Sequence, residues 1–207
     1  MSGLAVRLWA ENADLVAAAL AHPFVTGIAD GTLPRERFAG YVAQDAFFLE
    51  AFARGYALGV AHSTDRAGLD AFADLLAGVR GELRLHDSYA GRWGIDLATV
   101  QPLLATSAYT DFLLATASLG GTALTCAAMT PCMRLYAFLG QTLAPRVDPG
   151  SGYAEWVTTY ADDAFEELAG TLERLLDAAA DTPEVHRAYR RAMQLEVGFF
   201  DAAWSGA

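Results

Sequence analysis

Apolar residues recur at intervals of three and four along most of the chain, the period of helices that each bury one face. The pattern predicts seven helices, at about Ser2–Ala21, Pro34–His62, Asp65–Trp93, Ala98–Leu119, Thr122–Leu143, Gly152–Ala179 and Pro183–Trp204. No stretch shows the two-residue alternation of a half-buried strand, and no internal repeat stands out. Several boundaries have a local cause. Pro34 suits a first-turn position with Thr32 upstream as a cap, and Thr182, Pro183 and Glu184 make a second good start. Gly94, Gly120 and Gly150 stand near helix ends, where glycine suits a chain break. His22-Pro23 breaks the first helix, because proline disfavours a helical residue before it, and Gly27–Gly31 then reads as a turn-rich link. Pro145–Gly150 is another link. Neither is long or polar enough to separate domains, so residues 1–207 are expected to form a single-domain, all-α bundle.

Polar residues that interrupt the apolar stripes carry the chemical information. Asp45 has Phe38, Val42, Leu49 and Phe52 at helical spacing around it, which places a carboxylate inside the core. An ionised carboxylate there must be compensated, by a ligand's amino group or by a structural hydrogen bond from a Tyr, Trp or helix terminus. Glu196 repeats the pattern among Met193, Phe199, Phe200 and Ala203. Two such acids on two apolar stripes point to a polar pocket, the setting in which carboxyl pKa values shift toward acid–base work.

Cys132 follows Pro131 within a helical run, TALTCAAMTPCMRLYAFLG. Pro131 cannot donate to the carbonyl of Ala127, so a kink is expected there. A thiol beside a kink and near a carboxylate that takes its proton is equipped as a nucleophile. From the sequence alone the small buried hydrophobe is the favoured reading of Cys132, and Cys126 reads only that way. The two cysteines lie six residues apart on different helix faces and are not expected to pair. Of the aromatics Phe48, Tyr109, Trp156, Tyr160 and Phe199, most must be core; Tyr109 and Tyr160 are singled out because buried phenols need partners. Glu82 and His86 lie four apart, not at the three-residue spacing of carboxylate-bridged dimetal bundles, and read as a surface pair on an amphipathic helix. No phosphate-binding glycine loop, nucleophile elbow or HExxH is present.

Composition narrows the classes. The 207 residues are 54% hydrophobic and 19% charged, enough for a sizeable core and low in charge for a fully wetted monomer, which hints at an oligomer. A net charge of −11 disfavours nucleic acid and anionic membrane surfaces. Arg7, Glu11 and Asp14 in the first apolar stretch exclude a signal-peptide reading, and no apolar run reaches bilayer length. The absence of CxxC and the sparse cysteines fit a reduced, cytoplasmic setting.

The stretch from His22 to Ser63, HPFVTGIADGTLPRERFAGYVAQDAFFLEAFARGYALGVAHS, resembles the N-terminal signature of TenA/thiaminase II proteins. ELRLHDSYAGRWGI, TSAYTDFL, TPCMRLYAFLG, EWVTTYADDAF and QLEVGFFDAAW follow in that family's order, so the resemblance covers almost the whole chain. It implies a heme-oxygenase-like fold, a homotetramer, and no metal or organic cofactor. The cysteine-containing members it resembles are aminopyrimidine aminohydrolases. They convert 4-amino-5-aminomethyl-2-methylpyrimidine to its 5-hydroxymethyl form in thiamin salvage, and many also hydrolyse thiamin.

By that resemblance Cys132 stands at the nucleophile and Glu196 at the acid–base glutamate. Asp45 matches the residue that binds the aminopyrimidine edge, and Tyr109, Tyr160 and Phe199 match pocket aromatics. Phe48 stands where many members carry a tyrosine, Met133 and Arg134 where aromatics are frequent, and the acids of TYADDAF where small residues are usual. Two other readings stay open: a metal-dependent oxidase or oxygenase of the same fold, and a non-catalytic pyrimidine-binding protein.

Overall fold

The computed structural model describes residues 3–206, excepting the side chains at 85, 87–89, 92 and 98. Every regular element among the described residues is helical. In chain order they are α1 (Leu4–Glu11), α2 (Ala13–Leu20), α3 (Pro23–Asp30), α4 (Arg35–His62), α5 (Arg66–Trp93), a 3-10 turn (Leu97–Thr99), α6 (Leu104–Leu119), α7 (Gly121–Leu143), α8 (Ala154–Ala161), α9 (Asp163–Asp177) and α10 (Pro183–Ser205). The all-α class agrees with the sequence pattern; the count of about seven does not, and each difference has a local cause.

The first expected helix, whose start at Ser2 lies outside the described residues, is two. Asn12 leaves helical geometry at φ −107°, ψ 20°, and its buried side chain donates back to the carbonyl of Leu8 at 2.8 Å. Gly27–Gly31, expected as a link, belongs mostly to α3. Pro23 opens that helix behind His22, whose Nδ1 accepts from the Phe24 amide at 3.1 Å, and Gly31 closes it at φ +70°. The expected helix Gly152–Ala179 begins later and breaks at Asp162, which turns extended and accepts from the Ala164 amide to start α9. The α6 helix starts at Leu104 rather than Ala98. Pro34 stands at the N-cap of α4 rather than inside its first turn, with no side-chain cap from Thr32. Elsewhere the expected signals hold: Gly94 ends α5 at φ +67°, and Thr182 caps α10 ahead of Pro183.

The α7 helix is the axis of the bundle. It packs against α4, α6, α8, α9 and α10, and runs through Pro131 without losing its helical assignment. Its residues from Thr125 to Met133 are all buried. Around it α4 and α5, each 28 residues long, pack against each other, while α1, α2 and α3 lie against α9 and α10. The contact of α7 with α8 is close at Gly140, where a β-carbon would stand 2.4 Å from the Tyr160 carbonyl carbon. Only a residue without a side chain permits that approach, and the approach fixes where Tyr160 sits.

Candidate active site

Helical spacing carries six elements' side chains to one region. Asp45 and Phe48 come from α4, Glu82 and His86 from α5, Tyr109 from α6, Cys132, Met133 and Tyr136 from α7, Tyr160 from α8, and Glu196 and Phe199 from α10. Asp45 is 4% exposed and Glu196 1%, so both acids lie inside the core as their apolar neighbours predict. A small cavity of about 10 Å³ is lined by Asp45, Phe48, Glu82, Cys132, Met133, Tyr136 and Tyr160, among others. A second, also of about 10 Å³, lies across Glu82 and Tyr160 and is bordered by Tyr41, His86 and Trp156.

The compensation for each buried acid differs. Asp45 Oδ2 lies 2.8 Å from His86 Nε2, so α4 and α5 are joined by a buried acid–imidazole pair. Glu196 Oε1 accepts from the Tyr109 hydroxyl at 2.6 Å, and the Cys132 thiol stands within the field of the same carboxyl group. Glu82 Oε1 accepts from the Tyr160 hydroxyl at 2.9 Å. Burial pushes the Glu196 carboxyl up to about 7, the Tyr109 bond and the neighbouring Cys132 thiol pull it back, and the charge of Asp45 adds to the rise. Burial and the Asp45 charge likewise raise Glu82 to about 7, against the Tyr160 bond and His86. Burial also holds the Cys132 thiol well above its ordinary value, reinforced by the negative field of Glu196, Glu82 and Asp45. An unassisted thiolate is therefore disfavoured, and Glu196 is the foremost of the neighbouring acids that act on the thiol.

Aromatic rings close the walls. Phe48 packs on Tyr109 at 4.8 Å between centroids, on Phe52 at 5.2 Å and on Phe199 at 6.0 Å. Tyr136 meets Tyr160 edge-on at 4.8 Å. The Tyr41 hydroxyl donates to that of Tyr136 at 3.1 Å and accepts from Trp156 Nε1 at 3.3 Å. Phe48 offers a ring and no hydroxyl at this wall.

All seven residues singled out in the sequence, Asp45, Phe48, Tyr109, Cys132, Tyr160, Glu196 and Phe199, fall in this region. The reading of Glu82 and His86 as a surface pair is corrected: His86 is 6% exposed and paired with Asp45, and Glu82 faces both cavities. The signal was available, since Leu75 and Val79, seven and three residues before Glu82, are buried on the same stripe. Tyr136 and Tyr41 were also missed; Tyr136 lies one helical turn beyond Cys132. Among the departures, Met133 lines the cavity, whereas Arg134 points away to Glu173 and Glu166. Asp162 serves as a helix cap. Cys126 and Cys132 are both unpaired, as their spacing predicts. Among the described residues no three of His, Cys, Asp or Glu are grouped to hold a metal ion, and no helix is long and apolar enough to cross a membrane.

The chain is 33% identical to an aminopyrimidine aminohydrolase of Halalkalibacterium halodurans, over 97% of its own length and 95% of the relative's. It is 36% identical, over 95% of its length, to the bifunctional TH2 protein of Arabidopsis thaliana, of which it spans only 36%. In structure it matches a TenA homologue from P. horikoshii with a TM-score of 0.93 at 25% identity, covering 100% of both chains. A heme oxygenase-1 from Synechocystis superposes with a TM-score of 0.62 at 16% identity, over 99% of this chain and 94% of that one. That likeness shows the fold, which is heme-oxygenase-like. The model of the TENA/THI-4/PQQC family matches residues 9–206, a span that runs from α1 to the end of α10 and takes in every residue of the buried site, and the chain belongs to that family.

Proposed function

We propose that this chain is an aminopyrimidine aminohydrolase of the thiaminase II type. Its substrate is 4-amino-5-aminomethyl-2-methylpyrimidine or thiamin, and its product 4-amino-5-hydroxymethyl-2-methylpyrimidine, returned to thiamin synthesis. The observation that carries the reading is the Cys132 thiol lining one buried cavity with Asp45 and Glu82, with the Tyr109-held carboxyl of Glu196 close enough for its charge to act on the thiol. The 33% identity to an aminohydrolase over nearly both full lengths supports it.

In this mechanism Glu196 takes the thiol proton. The exchange moves a negative charge from carboxylate to sulfur without creating one, so the burial that opposes a lone thiolate weighs little on it. The thiolate adds to a carbon of the pyrimidine ring, and Glu196 returns the proton to a ring nitrogen. The C–N bond at the exocyclic methylene then breaks with its electron pair on nitrogen. Water adds to that methylene, giving one proton to Glu196; the C–S bond breaks with its pair on sulfur as the ring nitrogen's proton returns to the thiolate, and Glu196 gives its proton to the departed ammonia. The net change for the aminomethyl substrate is R–CH2–NH3+ plus water to R–CH2–OH plus NH4+. Asp45, oriented by His86, binds the ring's amino edge, and Phe48, Tyr109, Tyr160 and Phe199 form the walls that stack on or bond to the ring. No organic cofactor or metal takes part. The cytoplasm is the proposed compartment, and the chain assembles as a homotetramer. Leu104 and Leu119, 90% and 88% exposed at the two ends of α6, are apolar surface available for such assembly, which light scattering would size.

The test is ammonia release from the aminomethyl pyrimidine by the wild type and Cys132→Ser. Turnover is expected to fall by roughly 10³-fold or more in the variant, since a hydroxyl is the weaker nucleophile. Undiminished turnover removes Cys132 from the chemistry. Wild-type protein that binds the pyrimidine without turnover instead favours the non-catalytic reading, and stoichiometric iron or manganese after purification favours the oxidase.

A further inference from the structure

Asp45 and Glu196 have tasks in the mechanism above; Glu82 does not. Yet among the described residues Glu82 alone lines three spaces: the cavity shared with Cys132 and Asp45, the second cavity beside His86, and an open groove of about 470 Å³ bordered by Gly78, Gly81, Thr158 and Phe165. It therefore stands where the buried site meets the outside, with one carboxyl oxygen fixed by the Tyr160 hydroxyl at 2.9 Å. The substrates proposed above carry a positive group on the exocyclic methylene, an ammonium or a thiazolium, and the product carries a neutral hydroxyl. A cation entering a buried cavity needs a countercharge. Asp45 is turned toward His86 and Glu196 toward Cys132 and Tyr109.

We infer that Glu82 is the specificity-determining acid of this site: its carboxylate receives the cationic group on the exocyclic methylene, and the departing amine leaves past it through the groove. The inference rests on the aminopyrimidine reading of the site. When the C–N bond breaks with its pair on nitrogen, ammonia departs with the three protons the ammonium already held, so Glu82 holds the charge in place and need not transfer a proton. The neutral product makes no such pair and is released.

The experiment compares binding by calorimetry in the full chain carrying Cys132→Ser, which slows turnover, with and without Glu82→Gln. The ligands are the aminomethyl pyrimidine and its hydroxymethyl counterpart. Loss of one charge-assisted contact is expected to weaken the aminomethyl ligand about 10- to 100-fold, and the hydroxymethyl ligand less than about twofold. Glu82→Asp, which keeps the charge, is expected to retain a preference for the cation. Tyr160→Phe, which removes the hydroxyl and keeps the carboxylate, is expected to retain it too. Equal weakening of both ligands by Glu82→Gln makes Glu82 a structural residue and overturns the proposal, as does no weakening of either. If neither pyrimidine binds the Cys132→Ser chain, the aminopyrimidine reading itself falls and the proposal with it.

Discussion

The two faces of α7 treat buried polar groups in opposite ways. On the outer face Arg134 donates to both oxygens of Glu173 at 2.7 Å and to Glu166 at 2.8 Å. Burial works against its charge, but the bonds to these two acids outweigh it, and the guanidinium is held more firmly protonated than in water. On the inner face, two residues away, Cys132 meets Glu196, whose other partner is the neutral hydroxyl of Tyr109. Full countercharge fixes an ionisation state; with no countercharge beside it, burial raises the Glu196 carboxyl to about 7 against the pull of its neutral donors. One face of the helix is locked, and the other is able to exchange a proton with its neighbours.

The largest effect is expected from breaking the inner face. Glu196→Gln keeps the size and one acceptor for Tyr109 but removes the base, and kcat is expected to fall about 10²- to 10⁴-fold. The double variant with Cys132→Ser should lose little more than the worse single one, because thiol and carboxyl act as a unit. Steady-state kinetics of the three variants decide this; additive losses mean that the two groups work independently.

The same balance has a thermodynamic side. The folded chain keeps the Glu196 proton up to about 7, whereas the unfolded chain releases it near the ordinary value of 4.5. Its contribution to stability is thus fully present below about 4.5 and is lost as the pH rises through about 7. A shift of this size corresponds to roughly 3 kcal/mol at most, at ~1.4 kcal/mol per pH unit. Glu82 acts in the same direction. Urea titrations between pH 5 and 8 should show wild-type stability falling, with Glu196→Gln losing about half of that slope and keeping the part due to Glu82. An unchanged slope means that Glu196 is not the group that holds the proton.

Tyr109→Phe sharpens the comparison with a smaller change. The hydroxyl lowers the Glu196 pKa by favouring the carboxylate. Without it the carboxyl is protonated to higher pH, so the acid limb of the kcat profile should move upward, with a loss near pH 7 of about 10-fold that shrinks at higher pH. A loss that is the same at every pH makes Tyr109 a packing residue only.

The legible part of this molecule was whatever one helix specifies by itself. Asp45 and Glu196 were found because each stands alone on an apolar stripe, and both are buried. Their partners were not legible, because the pairs Asp45–His86 and Tyr109–Glu196 join residues far apart in sequence, and period alone carries no such distance. Glu82 was misplaced because Arg80, Gly81 and Arg84 around it look solvated, although Leu75 and Val79 set the true inward face. The same limit applies to boundaries. Asn12 and Asp162 break helices with single side-chain bonds inside runs that remain helical in pattern, while Pro23 and Gly31 bound a short helix that reads as a turn. The roles of Cys132 and the pocket aromatics came from the family resemblance, because neither period nor spacing assigns a role to a buried thiol or ring.

The smallest effect on activity is expected from the outer face. Arg134→Met removes the guanidinium and leaves Glu173 and Glu166 without their cation, which should cost on the order of 1–3 kcal/mol of stability, since a partly buried pair loses one member. In a chain of this size that lowers Tm by several degrees. Yet the side chain points away from the cavity, and its partners sit on α9 rather than in the site. The kcat/KM for the aminomethyl pyrimidine is therefore expected to stay within about twofold of wild type at a temperature where both proteins are folded. A larger loss with normal folding would mean that the two faces of α7 are coupled, and that the charge on Glu173 reaches the Cys132–Glu196 pair through the helix. Adding Glu173→Gln to Arg134→Met then distinguishes the causes: recovery of activity assigns the loss to the uncompensated charge, and no recovery assigns it to a shift of the helix itself.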